Sequence, residues 1–176
     1  MKTTYTIDPA HSHAQFSVRH MMITNVRGSF AGVKGTAVYD SDHPSESTIE
    51  TAIDATTINT MDPQRDAHLK SADFLDVEKF PAITFKSSKV EAAGSDELKV
   101  TGDLTIHGVT RPVVLKVEDP SDETKDPWGN IRMGVSGSTK IKRSDFGLTW
   151  NAALETGGLL VGDDLKIELD VSLIKA

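Results

Sequence analysis

Apolar residues at every second position constrain this chain more than any other feature. From residue 165 to 173 the odd positions are Leu165, Ile167, Leu169, Val171 and Leu173, while Lys166, Glu168, Asp170 and Ser172 fill the even ones. Side chains of a strand alternate between two faces, so this segment buries one face and wets the other. The same period predicts strands over residues 98–106 and 131–141. Weaker alternation predicts five more, around residues 14–20, 30–39, 49–55, 83–90 and 113–117. Within 30–39 the apolar parity switches between Gly32 and Val33, which predicts a bulge or a glycine-permitted bend.

Eight strands joined by short links rich in Gly, Pro and Asp favour antiparallel pairing over a parallel α/β sheet. The one long link, residues 57–81, contains Asp62-Pro63, a helix cap followed by proline at the first helical position, and predicts a helix over 63–71. A second helical turn is expected at Ser144-Asp145-Phe146. No internal repeat, linker or low-complexity segment divides the 176 residues, so residues 1–176 read as one domain. Such an all-β chain folds as a sandwich or a closed antiparallel barrel. Closure removes sheet edges, and an eight-stranded interior is either filled by side chains or holds one small ligand. Ala14, Gly32, Gly35, Ala37, Ala55, Gly102 and Gly137 are small at interior parity. They either leave room inside or relieve strain where the sheet coils.

The chain has no cysteine, which excludes thiolate nucleophiles, Cys-ligated zinc, iron–sulfur clusters and disulfides. The net charge of −7 and the absence of a basic run longer than 140–143 argue against nucleic acid as a partner. No apolar run reaches the length of a transmembrane helix, and residues 1–8 do not resemble a signal peptide, so the chain as it stands is expected to be cytoplasmic.

Asp8-Pro9-Ala10-His11-Ser12, Phe16-Ser17-Val18-Arg19-His20, Val26-Arg27-Gly28-Ser29-Phe30, Arg65-Asp66-Ala67-His68-Leu69, residues 80–85, residues 102–112 and Lys142-Arg143-Ser144-Asp145-Phe146-Gly147-Leu148 follow one another in an order that resembles the YceI-like family from about residue 5 onward. The resemblance implies an eight-stranded antiparallel, lipocalin-like barrel with one or two short helices in its connections. It also implies a polyisoprenoid or similar long amphiphile, such as an isoprenoid quinone or polyprenyl phosphate, held in the pore without other cofactors. Many members of that family are exported to the periplasm behind a signal peptide, a departure from what residues 1–8 show. A homodimer is expected from similar proteins.

A prenyl tail needs a dry apolar lining rather than directional contacts. Parity nominates Phe16, Val18, Phe30, Phe85, Leu104, Ile106, Met133, Val135, Leu169 and Val171 for that lining. Phe146, Leu148 and Trp150 form an apolar segment that either caps the pore or plugs it, and Met21, Met22 and Ile23 form a similar patch at a pore mouth. His20 shares parity with Phe16 and Val18. It is either a core histidine satisfied by a carbonyl or a hydrogen-bonding group for a ligand, and in the second case the alternative is an enzyme using it as acid or base on a lipid-like or quinone substrate. His11 and His13 share a strand face and define a further alternative, a metal-binding barrel, although no third ligand lies nearby in sequence. Asp8, His11 and Ser12 mimic a catalytic triad in composition only. Asp8 and Ser12 read as turn and strand-start residues, with no catalytic residue assigned. Arg65-Asp66 and Arg143-Ser144-Asp145 are expected to form ion pairs or caps that fix the connections against the barrel.

Overall fold

A computed structural model describes residues 1–118 and 120–176. Its strands are β1 (Lys2–Ile7), β2 (His13–His20), β3 (Thr24–Phe30), β4 (Val33–Asp40), β5 (Thr48–Asp54), β6 (Ala82–Ala92), β7 (Glu97–Ile106), β8 (Val109–Glu118), β9 (Thr124–Lys125), β10 (Ile131–Lys142) and β11 (Val161–Lys175), with one α-helix, α1 (Pro63–Lys70). All named pairings are antiparallel. Strands β1, β4, β5, β6, β7, β8, β10 and β11 form a ring, which the β10–β11 ladder closes from Arg132↔Ile174 to Lys142↔Asp164. The fold is therefore all-β, an eight-stranded antiparallel barrel of lipocalin-like type with short helical turns in its connections.

The barrel's membership differs from the sequence expectation in one respect. Residues 30–39 are not one bent strand: Phe30 ends β3, Val33 begins β4, and Gly32 turns the chain between them at φ 62°. The parity switch marked a strand boundary. β1 and β3 escaped notice because threonines, Asn25, Gly28 and Ser29 dilute their apolar alternation. β2 pairs with β11 beyond the reach of β1, and with β3 it makes a hairpin that extends the wall at one end rather than a stave of the ring. The chain forms this shape because β11 is 15 residues long, enough to pair with β1 near its C-terminus and β2 near its N-terminus.

α1 starts as the sequence predicts. The Asp62 carboxylate accepts from the N–H groups of Gln64 and Arg65, both at 3.1 Å, and Pro63 occupies a position whose N–H needs no partner. Arg65 and Asp66 do not pair with each other. Both hold the buried Thr60: Arg65 Nε donates to Thr60 Oγ1 and Nη2 to Thr60 O, while Asp66 accepts from the Thr60 N–H. Four short 3₁₀ turns complete the connections; the one at Arg143–Phe146 ends on Gly147, whose φ of 74° is the left-handed conformation that terminates helices.

Away from the interior, one ion network ties the chain's first turn to the barrel wall. Arg132 donates to Asp8 at 2.6 Å and to Asp126 at 2.7 Å, and Asp126 also accepts from the N–H groups of Trp128 and Asn130. The Arg132 guanidinium and then His11 hold the Asp8 carboxyl down at about 2, and Arg132 holds Asp126 lower still. Carboxyls with depressed values stabilise the fold above their ordinary value near 3.9 and lose that contribution as pH falls toward the folded value. Stability is therefore expected to drop between about pH 4 and pH 2. Urea denaturation across this range will show a shallower pH dependence in Arg132→Met than in the wild type.

Candidate functional site

The inward faces of the strands do not meet. They surround a cavity of about 280 Å³ whose wall is almost entirely apolar. Along β11 the wall takes Leu165, Ile167, Leu169, Val171 and Leu173, a span of roughly 27 Å at the rise of a strand. The other strands supply Phe85, Val100, Leu104, Ile106, Val113, Leu115, Met133 and Val135. Much of the buried hydrophobic core is therefore also cavity wall, because most of the buried side chains of both apolar clusters stand on this surface.

Of the residues nominated for the lining, by parity or as the apolar segment 146–150, Phe16, Val18, Phe30, Phe85, Leu104, Ile106, Met133, Val135, Leu148, Leu169 and Val171 border the cavity. Three do not. Phe146 is 1 % exposed and packs into the larger apolar cluster, because its 3₁₀ turn folds it inward behind the wall. Trp150 stacks edge-on against His68 at 4.8 Å and tilted against Phe74 at 5.3 Å, so it closes a joint between α1 and the chain after β10. His20 has the parity of Phe16 and Val18 but ends β2, half-buried opposite Thr24 and Val161, past the cavity wall. Parity gives a face; it says nothing of how far along the barrel the interior extends.

Residues that alternation could not find also line the cavity. Leu69, Phe74 and Leu75 reach it from α1 and the turn that follows. Their helical and turn spacing hides them from a period of two. The small residues divide between the two roles expected of them. A Cβ on Gly102 would lie 2.5 Å from the Phe85 ring, and one on Gly35 would clash with Glu50 O, so both are packing requirements. Ala14, Ala37 and Gly137 border the cavity and leave it open.

Among the described residues, the one charged group on the wall is Arg143. Of the ion pairs or caps expected from its motif, it makes the second kind of contact, donating to backbone carbonyls: Nε to Gly162 at 2.7 Å, Nη1 to Leu148 at 2.7 Å and Trp150 at 2.9 Å, and Nη2 to Val161 at 3.3 Å. Burial lowers its pKa, opposed by Asp163, which itself accepts from the N–H and hydroxyl of Ser144. The Arg143 fork thus holds both ends of residues 148–162, the strap over that end of the barrel.

The histidine alternatives separate in space. His11 Nδ1 lies 2.7 Å from Asp8, while His13 is exposed at the start of β2. Among the described residues no group of three or more His, Asp or Glu is placed to hold a metal ion. Ser12 Oγ bonds the backbone of Ser172, donating to its O and accepting from its N–H, so Ser12 fastens β2 to β11 and is turned away from any triad role.

A closed antiparallel barrel with an apolar hollow along its axis is the class of protein that the fold and cavity define. A model of the YceI-like domain matches residues 5–173. The chain is 40 % identical over 147 residues to protein YceI of Salmonella newport, covering 82 % of this chain and 76 % of that one. Among solved structures, BcnA of Burkholderia cenocepacia superposes with a TM-score of 0.82 at 23 % identity, covering 94 % of this chain and 98 % of that one. A structure described as a polyisoprenoid binding domain from Saccharophagus degradans superposes at 0.70 with 16 % identity, covering 99 % of each. This chain belongs to the YceI-like family.

Replacing Arg143 by Met removes the guanidinium from the carbonyls of Leu148, Trp150 and Gly162, while Val161 O keeps the Asn151 amide at 2.7 Å. The expected loss is about 3 kcal/mol of stability, measured by urea denaturation, with faster amide exchange confined to residues 148–162.

Proposed function

We propose that this protein binds a polyisoprenoid or related long-chain amphiphile in the barrel cavity and does not transform it. The observation that carries the reading is the apolar hollow. An unfilled cavity forfeits roughly 24 cal/mol per Å³, so this one forgoes on the order of 7 kcal/mol relative to a filled core. That is as large as the whole stability of many domains, so an apolar guest that fills the space recovers a large free energy.

The shape favours a chain over a ring system. A cavity of 280 Å³ drawn out along a wall of roughly 27 Å is long and narrow, a shape that suits a slender tail. Thr51 and Thr139 on the wall, Ser47 and Thr48 toward one end and Arg143 toward the other interrupt an otherwise apolar surface, so the directional contacts available to a polar head group are few. The family assignment and the polyisoprenoid-binding description of the Saccharophagus degradans structure support the same ligand class, with an isoprenoid quinone or a polyprenyl phosphate as the specific candidates. The protein then acts as a carrier or store whose ligand leaves unchanged.

Native mass spectrometry of the purified protein is expected to show a bound amphiphile that organic extraction removes. The extracted protein should melt higher when a long prenyl alcohol is added, by mass action. Leu169→Trp, which fills the middle of the bore opposite Ala14, should bind that alcohol at least tenfold more weakly while remaining folded. A protein that carries nothing and gains no stability from the alcohol would overturn the proposal.

A further inference from the structure

The tip of the β2–β3 hairpin is built against the preferences of its own backbone. Met21 and Met22 have φ of 52° and 60°, and the Ile23 N–H closes the turn on His20 O at 3.1 Å. Two consecutive left-handed residues make a type I′ turn, for which Asn-Gly is the favoured pair. This chain instead places two methionines there, and strain of this kind persists where it serves a use.

The side chains held by that turn are apolar and face water. Met21 is 42 % exposed, Met22 64 % and Ile23 70 %, and Leu159 on the facing strap is 52 % exposed. The two segments are joined: the Met21 N–H donates to Leu160 O at 2.7 Å, and Met22 Sδ occupies the space a side chain at residue 158 would need. The patch continues directly into the cavity wall, since His20 pairs with Val161, and Val161 and Val18 both border the cavity.

Charge is distributed just as unevenly. In a chain of net charge −7 there is no Asp or Glu between Asp8 and Asp40. The hairpin carries Arg19 and Arg27, both exposed and both on the face opposite Phe16 and Val18. The neighbouring acids are Glu155 on the strap and Asp163 and Asp164 at the start of β11, with Asp163 engaged by Ser144.

We propose that this tip docks on an anionic lipid bilayer, with Met21, Met22, Ile23 and Leu159 entering the interface and Arg19 and Arg27 meeting the head groups. A protruding tip of unbranched methionines needs no complementary pocket, which suits a fluid surface. Apolar side chains flanked by arginine are the pattern that holds interfacial elements on anionic lipid. A second copy of the chain fits less well, because a two-fold contact at the hairpin would set its arginines against their own copies. The use of the contact, passing an amphiphile between bilayer and cavity, rests on the function proposed above; the contact itself does not.

Co-sedimentation with vesicles of phosphatidylcholine alone, and of phosphatidylcholine mixed with phosphatidylglycerol, tests the contact. Wild-type protein is expected to pellet with the mixed vesicles and to be released at high salt. Met21→Asn combined with Met22→Gly relaxes the turn while removing its apolar reach, so it should melt no lower than wild type and pellet about tenfold less. Arg19→Gln combined with Arg27→Gln should lose the preference for phosphatidylglycerol. Leu169→Trp, impaired in the cavity, should pellet like wild type, which separates failure of docking from failure of the ligand reading. Wild-type protein that stays in the supernatant, or hairpin variants that pellet equally well, would overturn the proposal. So would a concentration-dependent dimer that Met21→Asn combined with Met22→Gly abolishes while vesicles capture nothing.

Discussion

Everything in this molecule depends on the closure of its sheet along β10 and β11. Eleven consecutive residue pairs, from Arg132↔Ile174 to Lys142↔Asp164, turn an open meander into a ring. Ring closure satisfies the backbone groups at what would otherwise be two edges and commits every inward side chain to a shared interior. The cavity is a consequence of that geometry. Eight strands set a fixed circumference, and the inward residues, with alanine or glycine at positions 14, 37 and 137, do not fill it.

The same closure explains why the ends carry so many specific contacts. A ring needs stoppers, and the chain makes them from segments with no strand periodicity. α1 and residues 71–75 bring Leu69, Phe74 and Leu75 to the cavity, and the Trp150–His68–Phe74 contacts lock them to the strap. Arg143 fastens the strap with carbonyl bonds rather than an ion pair. A buried guanidinium needs its donors satisfied, and strap carbonyls that lack sheet partners need donors; one side chain serves both.

Polar chemistry is largely moved out of the interior. Asp8, Arg132 and Asp126 form their network on the outer wall, Ser12 bonds the backbone of β11, His11 pairs with Asp8 and His13 is exposed. Of the residues whose types first suggested catalysis or metal binding, Asp8, His11 and Ser12 are engaged in holding strands and turns. The interior is left to contacts without directional preference, which is the condition for holding a flexible chain.

The sequence by itself determined the strands with clean alternation, their antiparallel order, the capped start of α1 and most of the apolar wall, because period two and helix capping are local consequences of backbone geometry. It did not determine that residues 30–39 belong to two strands, that β1 rather than β2 is a stave of the ring, or that His20, Phe146 and Trp150 fall off the cavity surface. Those outcomes depend on which strand ends lie where along the barrel axis, a matter of register and closure between residues far apart in the chain. The partners of Arg143 depend on it too: which carbonyls a strap leaves unpaired is decided only when the barrel has closed beneath it.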